Sequence, residues 1–287
     1  MRAHLRVGAA KGRGGVVRKM EPGLLGAVRP LWSEANNLRE RVAEAAALYG
    51  FFSFDGALSQ RASNGHLRTN PASRAALIRL CAAPETRAAV ISGRKAETLQ
   101  RRLRLHRLAY VGVHGADVNA PGLRMVTEPD LELAEQAMAK LRRACTRVEA
   151  LQAPGITIED RTWGVVLHLR NAEAAAQVAA AEQFGTLVAG EGLQLRRGPD
   201  SLEALPEGAG AWKAVLGLLA GQRGALPVYV GAGETDEEIF AILNRRNGIT
   251  VHVGSPPRSG TAARWQVADC GEVIRLIHWL ADARRRS

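Results

Sequence analysis

The chain has 287 residues, 46% of them hydrophobic and 23% charged, which is typical of a globular protein of one large or two modest domains. Its formal net charge is +11, and much of the excess lies in residues 1–20, in the segment RKAETLQRRLRLHR and in the terminal Arg284–Arg286. No apolar run reaches the roughly 18 to 20 residues that cross a bilayer. We therefore expect no membrane span. RNA-binding aromatic motifs and zinc-finger spacings are absent, so nucleic-acid binding stays a distant alternative.

The N-terminal region and the cysteines indicate a cytoplasmic protein. Residues 1–30 are basic and glycine-rich without the apolar core of a secretory signal, which predicts a disordered arm unless the true start lies later. Cys81, Cys145 and Cys270 lie far apart and have no neighbouring ligands in zinc spacing. Buried, reduced thiols are the expected state of these residues.

Residues 31–118 alternate between helical and strand patterns, as the first part of a core domain would. Helical spacing covers Leu31–Tyr49, and Phe51 and Phe52 then begin a short strand that ends at Asp55. The next predicted elements are a helix in PASRAALIRLCAA, a strand in RAAVISGR, a helix in KAETLQRRLRL and a strand in LAYVGVHGADV. Strands that alternate with helices of this length predict a parallel, doubly wound sheet.

Residues 119–202 have a different pattern, and residues 203–287 return to the first one. Helices are predicted in DLELAEQAMAKLRRACTRVEA and NAEAAAQVAAAEQFG, and strands in GITIEDRTWGVVLHLR and EGLQLRRGP. The final part alternates again, with helices in GAWKAVLGLLAG, TDEEIFAIL and GEVIRLIHWLADARRR and strands in LPVYVGAG and GITVHVG. We therefore predict an α/β protein with a doubly wound, Rossmann-like core and an inserted α+β cap that can close over ligands at the strand ends.

Four strand-end loops would converge in such a core: FDGAL (the first loop), ISGR (the second), the loop near AWKAV (the third) and VGAGETDEEIF (the fourth). Together they resemble the haloacid dehalogenase superfamily. With VGVHGADV and PGITIEDRTWGVVLHLRNAEAA in the right order, they resemble more narrowly the trehalose-6-phosphate phosphatases, over about Leu48 to Leu280. The resemblance implies hydrolysis of trehalose 6-phosphate with Mg²⁺ in trehalose biosynthesis, and trehalose-phosphate synthase as a possible partner.

The resemblance also implies catalytic roles, and this chain departs from them in three loops. In the family, a first-loop aspartate attacks phosphorus, a second acid transfers protons, and Mg²⁺ and a lysine neutralise the phosphoryl group. Here Ser53 stands at the nucleophile position, and Asp55 keeps the acid/base position. Ala232 and Gly233 replace the family's paired metal-binding acids. Lys213 lies two positions after the family's lysine, a shift that turns a helical side chain by about 200°.

Other positions keep residues suited to phosphate or metal. Ser92, Gly93 and Arg94 form the second loop, where a hydroxyl and backbone N–H groups can hold phosphate, although a plain Ser-Gly turn is the alternative. Asp236 and Glu237 survive in the fourth loop. They would either form a rearranged metal site with the first-loop acid Asp55, or favour the helix N-terminus electrostatically.

Six further residues occupy the family's substrate-binding positions: His114, Gly115, Glu159, Arg161, His168 and Arg170. A carboxylate and a cation suit sugar hydroxyls, but a structural histidine and a surface charge pair are alternatives. His168 and Arg170 are separated by one residue that faces the other way, so both can face one side of the cap sheet, unless Arg170 is simply solvated.

These losses predict a pseudophosphatase that binds a phosphosugar or a partner protein. In an unrelated hydrolase, removal of one nucleophile costs on the order of 10⁶ in turnover, and here the metal site is affected as well. The alternative is an active phosphatase that converts trehalose 6-phosphate to trehalose and phosphate. A basic, nucleic-acid-associated protein is the more distant alternative.

Overall fold

The computed structural model describes residues 28–61, 67–126, 131–161, 163–197, 200–207, 209–222, 224–257 and 260–285. Most of the basic arm predicted for residues 1–30 lies outside the described residues. Arg29–Pro30, however, form a short strand that pairs in parallel with Trp265 and Gln266. The predicted arm is therefore too long at its C-terminal end, because the edge of the sheet offers these two residues backbone hydrogen bonds.

Fifteen strands and eight α-helices, numbered in chain order, lie in the described residues. The strands are β1 (Arg29–Pro30), β2 (Ala47–Ser53), β3 (Ser59–Arg61), β4 (Leu67–Thr69), β5 (Thr86–Ile91), β6 (Leu108–Gly112), β7 (Asp117–Ala120), β8 (Leu123–Val126), β9 (Thr157–Arg161), β10 (Gly164–His168), β11 (Leu193–Arg197), β12 (Ser201–Pro206), β13 (Ala225–Gly231), β14 (Ile249–Val253) and β15 (Trp265–Val267). The helices are α1 (Ala35–Glu44), α2 (Pro71–Cys81), α3 (Ala96–Leu103), α4 (Leu131–Cys145), α5 (Ala174–Val188), α6 (Ala211–Ala220), α7 (Glu234–Asn244) and α8 (Cys270–Arg285).

Nine of the strands form one sheet in the order β1-β15-β14-β13-β2-β5-β6-β7-β8. In this spatial order, all neighbouring strands from β1 through β15, β14, β13, β2 and β5 to β6 pair in parallel. Strands β7 and β8 are antiparallel to their neighbours. The chain runs from β2 to β5 and β6 on one side and returns through β13, β14 and β15 on the other. The topological switch point therefore lies between β2 and β13, where open α/β sheets bind ligands. The predicted doubly wound fold class is confirmed.

The sheet is covered by helices on both faces because its central strands are apolar at successive positions. Phe52 and Val230 belong to a buried cluster that includes side chains of α1, α2, α3 and α8. Phe51 and Tyr229 face the opposite way, into a second cluster with α6 and α7. Alternate residues of a strand point to opposite faces, so burial of both faces requires this continuous apolar run. This nine-stranded sheet and its helices are called the core below.

The first helix ends earlier than its helical spacing predicts. The predicted helix reaches Tyr49, but the structure has a 3₁₀ turn at Leu31–Glu34 followed by α1, which stops at Glu44. Arg284 donates hydrogen bonds to three carbonyl oxygens at the end of α1 and just beyond it. These contacts satisfy carbonyl groups that the helix itself leaves open, so β2 can begin at Ala47.

A smaller sheet in the order β11-β12-β10-β9 packs with α4 and α5 around its own apolar cluster, and this unit is called the cap. It matches the predicted α+β insertion in architecture. Strands β7 and β8 instead extend the core sheet, although residues 119–126 were assigned to the cap. Positive φ angles at Val113, His114 and Gly115 reverse the chain directly after β6, which brings β7 back against it. The other domain boundaries stay predictions.

The cysteines are in the state that the sequence predicts. Cys81, Cys145 and Cys270 are free thiols in buried positions, and burial raises the pKa of Cys81 and of Cys145 to about 11. A thiol with so high a pKa is almost entirely protonated at neutral pH and is therefore unreactive. Among the helices that the structure describes, none is both long enough and apolar enough to span a membrane.

Candidate functional site

Four loops and a turn meet at the carboxyl ends of the core strands. The first loop (residues 54–58) follows β2, the second (residues 92–95) follows β5, the third (residues 209–213) precedes and begins α6, and the fourth (residues 232–237) follows β13 and begins α7. The turn of residues 113–116, called the His-Gly turn, follows β6. All of them lie at the edge that contains the switch point between β2 and β13, which makes this edge the candidate site.

Close approaches at glycine residues link neighbouring segments at this edge. A Cβ atom placed on Gly56 would lie 2.8 Å from the Cβ of Ala232, so the first and fourth loops are in contact. A Cβ on Gly93 would lie 2.6 Å from Nε2 of His114, and one on Gly115 would lie 2.7 Å from the carbonyl oxygen of residue 210. The His-Gly turn therefore lies between the second and third loops. Glycine is favoured at Gly56 and Gly115, because their φ angles of 89° and 102° would strain a residue with a side chain.

Asp55 is held by residues of the second loop. The hydroxyl of Ser92 donates to Oδ2 of Asp55 at 2.9 Å, and a terminal nitrogen of Arg94 lies 3.4 Å from Oδ1. The same hydroxyl accepts the backbone N–H of Arg94 at 3.2 Å. The side chains of Asp55 and Arg94 are 43% and 25% exposed, so the pair is accessible from the cleft. Ser53 is the last residue of β2 and pairs with Ile91, two positions before the acid.

Backbone hydrogen bonds fix the second loop to the His-Gly turn. The N–H of Val113 donates to the carbonyl of Arg94 at 2.9 Å, and the N–H of His114 donates to the carbonyl of Ser92 at 3.3 Å. Both donors have left-handed backbone conformations, with φ of 50° and 51°. A β-branched residue adopts this conformation only under strain, so surrounding contacts must stabilise Val113.

Asp236 has a structural role in the fourth loop. Its Oδ2 accepts the backbone N–H groups of Ala232 and Gly233, each at 2.9 Å, and its Oδ1 accepts the hydroxyl of Tyr229 at 2.7 Å. The residue is 3% exposed, and burial raises the pKa of its carboxyl group. A Cβ on Gly231 would lie 2.4 Å from this carboxylate, so only glycine allows it to fold back. These contacts favour the alternative in which the acid stabilises the N-terminus of α7 rather than binding a metal ion.

Glu237 also accepts hydrogen bonds within the protein, from the segment that precedes β15. Its two oxygens accept the hydroxyl of Thr261 at 2.7 Å and the backbone N–H of Ala262 at 2.6 Å. Burial also raises the pKa of this carboxyl group. The two acids that survive in the fourth loop therefore hold the backbone of the fourth loop and of the segment before β15.

The donor set at the loops does not fit magnesium. Mg²⁺ requires near-octahedral oxygen ligands, supplied in proteins mainly by carboxylates and water. Ala232 and Gly233 have no side-chain oxygen, and both oxygens of Asp236 accept hydrogen bonds inside the protein. Asp55 is bonded to Ser92 and Arg94. Within the part of the chain that the structure describes, no group of three or more His, Cys, Asp or Glu side chains is arranged to hold a metal ion.

The lysine of the third loop lies on the surface of α6. Lys213 is exposed, and its Nζ lies 5.7 Å from the centroid of the Trp212 ring, within the range of a cation–π interaction. Trp212 is half-buried against the cluster of α6 and α7. The position at which the resemblance places a lysine is Ala211, the first residue of the helix. A contact between Lys213 and a bound phosphate stays a prediction.

One face of the cap sheet carries the predicted sugar-binding residues of β9 and β10. Nε2 of His168 lies 3.0 Å from Oε2 of Glu159. Arg161 is two residues beyond Glu159 in the same strand, so its backbone position belongs to that face as well. Asp160 points the other way and accepts a hydrogen bond from Arg142 of α4 at 2.6 Å.

Arg170 is solvated in the structure. It follows the end of β10, its Nε donates to Asp200 at 2.9 Å, and its side chain is 76% exposed. This exposure corresponds to the solvated alternative.

Glu203 and Arg196 lie on this face as well, and the sequence patterns did not predict them. Val166 of β10 pairs with Glu203 of β12, which pairs in turn with Arg196 of β11. Glu203 is almost fully buried, and Arg196 lies 3.4 Å from Glu238 of core helix α7. That contact turns this face of the cap towards the core. The alternation of polar and apolar residues in SLEALP is the sequence signal for β12, but this strand is not among our predicted elements.

The protein-family comparison is decisive for this arrangement. The chain matches the family model described as trehalose-phosphatase over residues 51–270. The chain belongs to the trehalose-phosphatase family. The resemblance inferred from the loop segments is thereby confirmed, and so is the core-and-cap fold that it implied.

Curated proteins of the trehalose-phosphatase family give the same result. A trehalose-phosphate phosphatase of Mycobacterium marinum is 31% identical over 219 residues, which cover 71% of this chain and 53% of that protein. A probable trehalose-phosphate phosphatase C of Arabidopsis thaliana is 27% identical over 256 residues, which cover 83% of this chain and 79% of that protein. The chain thus spans about half the length of its mycobacterial relatives.

Solved structures with this fold include two fungal proteins. Trehalose-6-phosphate phosphatase of Aspergillus fumigatus superposes with a TM-score of 0.65 at 19% identity and covers 90% of this chain and 100% of that one. The C-terminal domain of a trehalose synthase regulatory protein of Candida albicans superposes with a TM-score of 0.66 at 15% identity, with coverages of 89% and 100%. At these identities the likeness concerns the fold alone.

Replacement of Asp236 by asparagine should flatten the pH dependence of stability in this trehalose-phosphatase family member. Burial raises the pKa of the Asp236 carboxyl above its ordinary value of 3.8, so the folded state binds this proton more tightly than the unfolded chain. Its contribution to the free energy of unfolding is fully present below that ordinary value and is lost as the pH rises through the raised pKa. Asparagine cannot titrate, and its oxygen and amide can still meet the two N–H groups and the Tyr229 oxygen.

Urea unfolding at several values between about pH 4 and about pH 8 would measure this effect. The decline in unfolding free energy over that range should be smaller in Asp236→Asn than in the parent chain. The Glu40→Gln variant, at an exposed position of α1, serves as the control and should keep the parental slope. An unchanged slope in Asp236→Asn would contradict the assignment.

Proposed function

We propose that this chain is a non-catalytic, cytoplasmic member of the trehalose-phosphatase family that binds a phosphosugar between its core loops and its cap. Trehalose 6-phosphate is the first candidate ligand because of the family. The observation that carries the proposal is the state of Asp55. This carboxylate stands at the acid/base position and is bonded to Ser92 and Arg94, while Ser53, Ala232 and Gly233 replace the acids that would attack phosphorus and hold a metal ion.

The chemistry of the first loop supports the absence of turnover. A carboxylate nucleophile forms an acyl phosphate that water cleaves readily, whereas a phosphoserine hydrolyses slowly without further help. The donor set also lacks the ligands of the ion that would stabilise charge on the transferring oxygens. In an unrelated hydrolase, loss of the nucleophile alone costs on the order of 10⁶ in turnover.

The preserved groups support binding. Arg94 has a planar guanidinium that suits phosphate oxygens, and it offsets the charge of Asp55. Ser92 adds a hydroxyl, and backbone hydrogen bonds order the second loop next to His114. On the cap, Glu159, His168 and Glu203 supply acceptors and donors of the kind that sugar hydroxyls need.

Phosphate release and calorimetry on the same protein would test the proposal. With trehalose 6-phosphate, we expect saturable binding with an affinity that does not differ between magnesium and EDTA, and no release of phosphate above background. Arg94→Gln should weaken binding by about tenfold or more, because it removes a charged hydrogen-bond donor. Arg87→Gln, at the exposed opposite end of the same strand, is the matched control and should bind normally.

The alternative, an active phosphatase, is supported by family membership and by the retained Asp55. Magnesium-dependent release of phosphate that disappears in Asp55→Asn would establish it and refute our proposal. If the protein neither binds nor cleaves the phosphosugar, a protein partner becomes the better proposal. Trehalose-phosphate synthase would be tested first, since the C-terminal domain of a C. albicans trehalose synthase regulatory protein has this fold.

A further inference from the structure

Trp163 of the cap is buried against the core, although it lies in the turn between β9 and β10. The side chain is 2% exposed and belongs to a cluster with Val113 and Ala116 of the His-Gly turn and Ala134 of α4. Its indole N–H has no hydrogen-bond acceptor among the described residues, so packing determines the position of the ring. A hairpin tip normally faces water, and this burial depends on the contact between cap and core.

Lys95 extends the same contact to the second loop. Its Nζ lies 5.2 Å from the centroid of the Trp163 ring and 3.2 Å from Oε2 of Glu135 in α4. The residue directly follows Arg94, which holds Asp55. Two cap groups, one aromatic and one acidic, therefore bind the second loop immediately beside the candidate phosphate-binding residues.

Val113, which packs with the Trp163 indole, has a strained backbone conformation. Val113 has a φ of 50°, a conformation that a β-branched side chain adopts only when neighbouring contacts compensate for the strain. Its own N–H bonds to the carbonyl of Arg94, and the next residue, His114, lies against Gly93. Packing on Val113 thus acts on the backbone that joins the His-Gly turn to the second loop.

We propose that Trp163 is a positioning residue by which the cap orders the candidate site. When the cap is docked, the indole stabilises the strained His-Gly turn and, with Glu135, holds Lys95, so that the second loop and His114 adopt the arrangement described above. When the cap moves away, the turn loses the packing that offsets its strain and the loops loosen. Cap docking and loop order are therefore coupled, independently of which ligand the site binds.

Hydrogen-exchange mass spectrometry of the full chain tests this coupling. In Trp163→Ala, peptides that cover residues 92–96 and 108–117 should exchange about tenfold faster or more, while peptides from β13 and α8 keep their parental rates. Phe184→Leu is the matched control, because Phe184 is a fully buried aromatic of the cap that belongs to the cap's own cluster. It should leave exchange in both loop peptides unchanged.

Two further variants keep the test decisive if Trp163→Ala folds poorly. Trp163→Phe retains a ring and should bring loop exchange back to within about threefold of the parent. Lys95→Met removes a partly exposed cation and should accelerate exchange in the same two regions, whereas Lys140→Met, which breaks the ion pair with Glu191 inside the cap, should not.

Three results would overturn the proposal. The first is parental exchange of both loop peptides in Trp163→Ala and Lys95→Met. The second is equal acceleration in Trp163→Ala and Phe184→Leu, which would indicate general loosening of the cap. The third is acceleration in all peptides of Lys95→Met, which would indicate loss of global stability. None of these measurements depends on phosphosugar binding, so their failure is distinguishable from failure of the proposed function.

Discussion

Replacing Ser53, Ala232 and Gly233 together by aspartate should create a magnesium site and produce measurable phosphate release from trehalose 6-phosphate. The backbone accepts these changes: Ser53 lies in a regular strand, and Gly233 has the extended angles φ −109° and ψ 162°, which aspartate adopts without strain. Ala232 lies beside Gly56, so an acid there would be next to the first loop. The new carboxylates are the ligand type that Mg²⁺ prefers.

The triple variant should bind magnesium in calorimetry and turn over on the order of 10³-fold faster than the parent chain, a part of what a nucleophile contributes in other hydrolases. Ser53→Asp alone should not gain magnesium binding, because the fourth-loop positions still lack oxygens. Adding Asp55→Asn to the triple variant should remove the new activity and serves as the control. If the triple variant binds no magnesium, the pocket has diverged beyond these three positions.

Replacing Arg284 by methionine should lower the free energy of unfolding by about 3 kcal/mol, since charged hydrogen bonds to buried carbonyls would be lost. The residue is 5% exposed, and its guanidinium donates to the carbonyl oxygens of Val42 at 3.0 Å, Ala43 at 3.4 Å and Ala45 at 2.6 Å. Methionine keeps most of the side-chain volume, so the loss reports the hydrogen bonds rather than a cavity.

Urea unfolding followed by circular dichroism measures this difference. Arg285→Met is the matched control, because the neighbouring arginine is exposed, and its effect should stay within about 0.5 kcal/mol. Equal effects of the two substitutions would show that Arg284 contributes only its charge.

Arg284 has a role that the sequence alone does not reveal, because its local pattern is that of a basic C-terminal tail. Its hydrogen-bond partners are about 240 residues away in the chain, and a local charge pattern carries no information about them. Trp163 is a second case. Its position in a predicted strand pair was visible, but its burial depends on a turn 50 residues earlier in the sequence.

Asp236 illustrates a different limit. From the sequence, a metal ligand and a helix N-terminal acid were both reasonable, because each uses a carboxylate at the same point of the motif. The folded backbone distinguished them, since the N–H groups of Ala232 and Gly233 and the hydroxyl of Tyr229 all point at its oxygens. For Arg170, the structure shows the solvated position and an ion pair with Asp200.

The sequence by itself determined the doubly wound core, the inserted cap, the order of the loops and the family. Apolar periodicity and glycine spacing carry these features because they are local properties that recur along the chain. It also supplied the prediction that Ser53, Ala232 and Gly233 replace the family's catalytic and metal-binding acids, because that prediction needs only the residue types in the loop motifs. Only the tertiary structure decided what the remaining groups do: Asp55 bonds to Arg94, Asp236 holds the fourth loop, and Trp163 joins the cap to the strained turn. Those roles depend on distances between residues far apart in the chain, and such distances exist only after the sheet has brought its strand ends together.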